Sequence, residues 1–169
     1  MERQNPIIVT LKLNDQAQVF FNALRQKYFP AERNFLDAHL TLFHALPGDR
    51  IESTLLFLKE IAQKNQAFVM KQKGWKSIGR GVAYVLESEV LQSLHKQMQQ
   101  EWKLELSAQD NQKLWPHITI QNKVTSAEAL QTLQLVEGVN VPDLKGLGFN
   151  VFYYKDGPWE FVKTLHFFE

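Results

Sequence analysis

His39-Leu40-Thr41-Leu42 and His117-Ile118-Thr119-Ile120 decide how this chain is read. Both stretches alternate polar and apolar residues, the period of a strand with one wet and one dry face. Residues two apart in a strand share a face, so each His stands beside its Thr. The Leu or Ile between them then points into a core. The chain has five His and seven Thr; shuffled, it would give roughly 0.2 His-x-Thr matches. Two copies in equivalent settings are therefore a signal.

Working outward, Ile7 to Leu13 reads as a strand, and Ala17, Phe20, Leu24 and Tyr28 recur at helical spacing until Pro30 stops the helix. His39 to Ala45 is a strand ended by Pro47-Gly48. Ile51, Leu55, Leu58 and Ala62 form the stripe of a helix with Asp49 as its expected cap. Ala67 to Trp75 and Gly81 to Glu87 read as two strands, followed by a helix carrying Val90, Leu94 and Met98. A polar loop leads to the strand His117 to Asn122. A helix begins at Thr125 or Ser126 and ends at Gly138, and a hairpin of Phe149 to Tyr154 and Trp159 to Phe168 closes the chain.

One order of elements thus occurs twice: His strand, helix, two strands, over residues 39–87 and again over 117–168. No low-complexity tract or long linker divides the chain. The expectation is one α+β domain spanning 1–169, with two similar lobes of antiparallel strands around a cleft.

Composition narrows the function. Nineteen Lys and Arg against eighteen Asp and Glu leave a net charge of +1, which argues against a broad grip on duplex DNA. Without cysteine, disulfides, thiolate catalysis and cysteine–zinc sites are excluded. Met1 to Pro6 has no apolar signal-like core, and no segment has the ~18 apolar residues of a membrane span. The expected setting is cytoplasmic, with no membrane partner.

Two imidazoles and two hydroxyls at one cleft suit phosphodiester chemistry. An ordinary histidine pKa near 6.5 lets one ring accept a proton while the other donates one. His39 and His117 would be that pair, and Thr41 and Thr119 would hold the non-bridging phosphate oxygens. The scheme calls for neither metal nor cofactor.

The paired motifs, with Trp115-Pro116-His117-Ile118-Thr119 as an aromatic-Pro-His-x-Thr second copy, resemble the two-histidine phosphoesterase superfamily. The likeness is strongest to bacterial 2'-5' RNA ligase-like proteins and cyclic nucleotide phosphodiesterases. Gly81-Val82-Ala83-Tyr84-Val85, followed by Leu91-x-x-Leu94-His95, adds to it. The resemblance implies a bilobal fold, hydrolysis of 2',3'-cyclic phosphates or 2'-5' linkages of RNA ends or small nucleotides, and catalytic roles for His39, Thr41, His117 and Thr119. Relatives often carry Arg five residues after the second His, where this chain has Asn122. Strand alternation puts Lys123 on the side of His117, as a substitute cation. Two other readings are a non-catalytic RNA- or nucleotide-binding module and a transesterase that trims RNA 3' ends and leaves cyclic phosphates.

Of the remaining candidates, Trp115, Tyr84 and Tyr153 offer rings for base stacking. Arg80, with Lys71, Lys73 and Lys76, offers charge for RNA contact or a solvated edge. His44, at an odd offset from His39, is expected on the opposite face in a structural role. His95 is expected at the surface and His166 partly buried in the sheet.

Overall fold

The computed structural model describes residues 5–169. The reading of the N-terminal stretch falls mostly on residues 1–4, outside the described residues. Along the chain lie β1 (Ile7–Leu13), α1 (Asp15–Tyr28), β2 (Leu40–Leu46), α2 (Ile51–Gln63), β3 (Phe68–Val69), β4 (Lys71–Ser77), β5 (Val82–Glu87), α3 (Glu89–Glu101), β6 (His117–Gln121), α4 (Ser126–Val136), β7 (Lys145–Tyr153) and β8 (Glu160–His166). No helix among the described residues is long and apolar enough to cross a membrane.

Two antiparallel sheets result. One runs β2-β1-β7, with β3 and β8 both on the far edge of β7; the other runs β4-β5-β6. The strand expected over Ala67 to Trp75 is broken at Met70. Phe68 and Val69 pair with β7 in one sheet, whereas Lys71 onward pairs with β5 in the other. Buried Met70, whose N–H donates to the Leu144 carbonyl at 2.8 Å, is the pivot.

The expected order, His strand, helix, two strands, occurs as β2-α2-β4-β5 and β6-α4-β7-β8, and strand pairing groups the same elements into a longer repeat. Its unit is strand, helix, His strand, helix, strand: β1-α1-β2-α2-β4, then β5-α3-β6-α4-β7. The last strand of each copy adds to the first strand of the other, β4 to β5 and β7 to β1. Neither lobe is therefore a contiguous half of the chain, and one continuous apolar core joins both sheets. The helices cross in the same sense. Buried Arg25 on α1 donates to the Thr119 carbonyl of β6 at 3.1 Å, and buried His95 on α3 donates to the Leu42 carbonyl of β2 at 3.0 Å.

Local chemistry sets the ends of these elements. Ser88 caps α3, and Thr125 with Glu128 forms a full capping box on α4. Asp49 does not cap α2, because a 3₁₀ turn over Gly48–Arg50 precedes the helix and Arg50 occupies the cap. Gly81 sits where a side chain would collide with the Gln121 carbonyl, so glycine lets β5 approach the end of β6.

Each His strand carries a β-bulge directly after its Thr. Thr10 faces Thr41 while Val9 faces Phe43, leaving Leu42 as the extra residue in β2. Ala83 faces Thr119 while Val82 faces Gln121, leaving Ile120 as the extra residue in β6. A bulge shifts the alternation of everything beyond it. Leu42 and Phe43 are consequently both buried, as are Ile120 and Gln121.

Candidate active site

His39 and His117 enter their strands with the same hydrogen bond. His39 Nδ1 lies 2.8 Å from the Asp37 carbonyl, and His117 Nδ1 lies 2.7 Å from the Trp115 carbonyl. A carbonyl only accepts, so Nδ1 carries the proton in each ring, and Nε2 is the atom left for chemistry. Each ring also rests against a tryptophan: His39 against Trp159 at 4.7 Å between centroids, and His117 stacked on Trp115 at 4.1 Å.

Burial under these rings disfavours the charged imidazolium. It pushes His39 down to about 4, against the pull of the Asp37 carbonyl, and the positive charges of Arg25, His117 and His44 push the same way as burial. Burial likewise lowers His117, opposed by the Trp115 carbonyl and helped by His44. Burial thus favours the neutral form of both rings in the free protein. Among the described residues, no three His, Asp or Glu side chains gather as a metal-ligand set.

Thr119 shares the His117 face of β6, since their partners Ala83 and Val85 are two apart on β5. Thr41 lies opposite Thr10, which in turn faces Asn150. Each histidine lines a cavity of its own. His39, Gln18, Phe35, Asn150, Phe152 and Trp159 help line one of about 250 Å³. Thr41, His44, Asp110, Lys113, Trp115 and His117 help line another of about 260 Å³.

Several expected site residues stand elsewhere. Tyr84 faces Ile118, not the His117 side; it is buried against Phe21 and Trp75, and its hydroxyl donates to Gln72 at 2.6 Å. Tyr153 faces Ile7 and packs on the core, while its neighbour Phe152 lines the His39 cavity. Lys123 follows the end of β6 in a left-handed conformation, φ 63°, so strand alternation does not reach it. Arg80 is exposed and donates to the Val124 carbonyl at 3.0 Å, tying the β4–β5 turn to the loop after β6. Trp115 does lie at the cavity, with the Lys76 ammonium 5.6 Å from its ring centre.

The other histidines depart from expectation too. His95 is buried, stacked on Phe43 and bonded to the bulge carbonyl, so it is not a surface residue. His166 is exposed instead of partly buried. His44 does not turn away: the bulge at Leu42 shifts the alternation, and His44 and Thr41 line one cavity. Trp159, Phe152, Asp110 and Lys113 went unread in the sequence because loops and strand pairing bring them in. Trp159 alone had a local signal, an aromatic just after a Gly157-Pro158 turn.

This constellation on paired, exchanged strands can be set beside known proteins. A model of the 2'-5' RNA ligase superfamily matches residues 13–149. The chain belongs to that superfamily. Several solved structures share its architecture. E. coli LigT complexed with 3'-AMP superposes with a TM-score of 0.64 at 16% identity, over 98% of this chain and 99% of that one. TT0787 of Thermus thermophilus gives 0.61 at 16% identity over 95% and 97%. A structure described as a phosphoesterase gives 0.59 at 17% over 98% and 99%. No curated protein matches the chain in sequence. The α+β fold with two antiparallel sheets is thus LigT-like.

Proposed function

We propose that this 2'-5' RNA ligase superfamily member hydrolyses 2',3'-cyclic phosphates or 2'-5' phosphodiester linkages of RNA ends or small nucleotides. One observation carries the reading: two histidines on equivalent strands, each with Nδ1 tied to the carbonyl two residues before it and Nε2 left over. That arrangement suits a general acid and a general base on opposite sides of one phosphorus.

In the reaction, neutral Nε2 of one histidine takes a proton from water as the water oxygen bonds to phosphorus. The bond from phosphorus to a ribose oxygen breaks, and Nε2–H of the other, protonated histidine supplies that oxygen with its proton. A phosphomonoester and a free hydroxyl result, and the two rings have exchanged protonation states. Thr41 and Thr119 offer hydroxyls to the non-bridging oxygens as charge redistributes. The incoming phosphate favours the imidazolium that burial disfavours, so substrate binding itself prepares the acid. Nucleotide binding by a structural relative, E. coli LigT with 3'-AMP, is consistent with a ligand of this class. A chain with these motifs, and with no membrane-crossing helix among the described residues, fits a cytoplasmic role on RNA.

The test is turnover of adenosine 2',3'-cyclic phosphate and a short 2'-5'-linked oligonucleotide, with EDTA present, for wild type, His39→Ala and His117→Ala. Loss of at least ~100-fold in each variant is expected, the usual worth of a general acid or base. Undiminished turnover in both variants refutes the mechanism. Binding without turnover by wild type points to a binding module, and shortened RNA with cyclic ends points to a transesterase.

A further inference from the structure

We infer that His44 binds a second phosphate of the substrate, the one on the 5' oxygen of the nucleotide whose 2',3'-cyclic phosphate is opened. The inference rests on the phosphodiesterase reading above and adds a substrate class to it. A phosphate on the 5' oxygen occurs in a free 5'-phosphorylated nucleotide and in the link to the preceding residue of an RNA chain.

The position follows from the bulge. His44 is the fifth residue after His39; the extra Leu42 shifts the alternation, a second register shift falls between the Phe43 and Leu46 pairings, and His44 lines the same cavity as Thr41. At ~3.3 Å per strand residue, His44 lies at most roughly 10 Å along β2 from Thr41, within the reach of one nucleotide. The equivalent place after His117 holds Asn122, so only the first copy has a titratable ring there. His44 is near enough for its charge to lower both His39 and His117.

Its setting is built for an anion. The side chain of His44 is 45% exposed, yet its Nδ1 lies 3.0 Å from the carboxylate of Asp110, whose own side chain is wholly buried. Asp110 also accepts the backbone N–H of His44 at 2.8 Å and of Ala45 at 2.9 Å. Those two bonds staple the chain without the ring, so the ring contact is an addition that engages Nδ1 and leaves Nε2 as the other ring nitrogen of a cavity-lining residue. A phosphate there would bracket the doubly protonated ring between two anions, with a charge-assisted bond at each nitrogen.

The cavities differ in charge. The one shared by His44 and His117 also has Lys113 on its wall, and its one acidic side chain is Asp110, already engaged. The other is walled by Phe35, Phe152 and Trp159 with the amides of Gln18 and Asn150, and its one acidic side chain is Asp37. Aromatic faces and amides suit a nucleobase, whereas the cationic side suits a phosphate.

The experiment compares kcat/KM for adenosine 2',3'-cyclic phosphate, its 5'-phosphorylated form, and a dinucleotide ending in a 2',3'-cyclic phosphate. Wild type should favour a 5'-phosphate by roughly tenfold or more, the scale of one charge-assisted hydrogen bond. His44→Gln, checked for wild-type circular dichroism, should bring that ratio to about one, and His44→Lys should recover part of it. A gain with the dinucleotide assigns the site to RNA ends; a gain with the monomer alone assigns it to free nucleotides. A ratio near one in wild type, or a ratio that survives His44→Gln, overturns the inference. If wild type turns over none of the three, the cyclic-phosphate part of the phosphodiesterase reading has failed. Calorimetry with adenosine 3',5'-bisphosphate against adenosine 3'-monophosphate then judges His44 alone. A preference for the bisphosphate that His44→Gln abolishes supports the assignment, and equal affinities overturn it.

Discussion

Nε2 of His95 donates to the carbonyl oxygen of Leu42 across 3.0 Å, linking α3 to the bulge of the first His strand. The bulge decides which side chains join Thr41 on the cleft face, so this buried contact supports the site from behind. Replacing His95 with Leu keeps much of the volume but removes the donor that faces a buried carbonyl. Urea unfolding should show a loss of about 1–3 kcal/mol, the usual cost of orphaning a buried polar group. An unchanged midpoint would mean that the bulge holds itself.

Arg25 makes the corresponding contact from α1. It is buried, donates to Thr119 and to the Asn34 side chain, and lies 4.1 Å from the Phe29 ring centre. Arg25→Ala opens a cavity and strands the Thr119 carbonyl. A loss of roughly 2–4 kcal/mol is expected from denaturant unfolding. The same variant removes a positive charge that helps hold His39 low, so the His39 titration should move upward by NMR.

Activity should respond to pH on the acid side of neutrality. His39 and His117, the proposed acid–base pair, are both lowered from the ordinary 6.5. The productive free form has one ring protonated and the other neutral. It is most populated between the two apparent values of the pair, both below 6.5. The kcat/KM profile should therefore peak below pH 6.5 and decline above it. An optimum on the alkaline side would show that these imidazoles are not the acid–base pair.

Stability carries the same signature. A histidine at about 4 when folded and 6.5 when unfolded leaves the unfolded chain binding more protons between those values. Stability from His39 is then present above about 6.5 and is lost as pH falls toward 4. His39→Gln should flatten that part of the pH–stability curve; an unaltered slope would place the acid sensitivity elsewhere.

Trp159 tests how the low value of His39 arises. Its ring covers His39 and lines the same cavity as Phe152. Trp159→Ala admits water to the imidazole, so His39 should titrate closer to 6.5. KM for a nucleoside cyclic phosphate should rise several-fold as a stacking face disappears. A wild-type His39 titration in this variant would assign the shift to the neighbouring charges instead.

The amino-acid sequence by itself determined the strands, the helices and the two His-x-Thr pairs. Alternation and helical periodicity act over a few residues, and burial of one face enforces them. It also led to the superfamily, because Trp115-Pro116-His117-Ile118-Thr119 and its partner are contiguous. Tertiary structure decided the rest. The break at Met70 and the exchange of β4 and β7 between copies depend on which edges find partners across the chain. Placing His44, Tyr84 and Tyr153 needed the register, and one extra residue at Leu42 reverses a parity argument. Asp110 meets His44 across a separation of 66 residues. No local pattern encodes such a meeting, since it exists only once the loop before β6 has folded back onto β2.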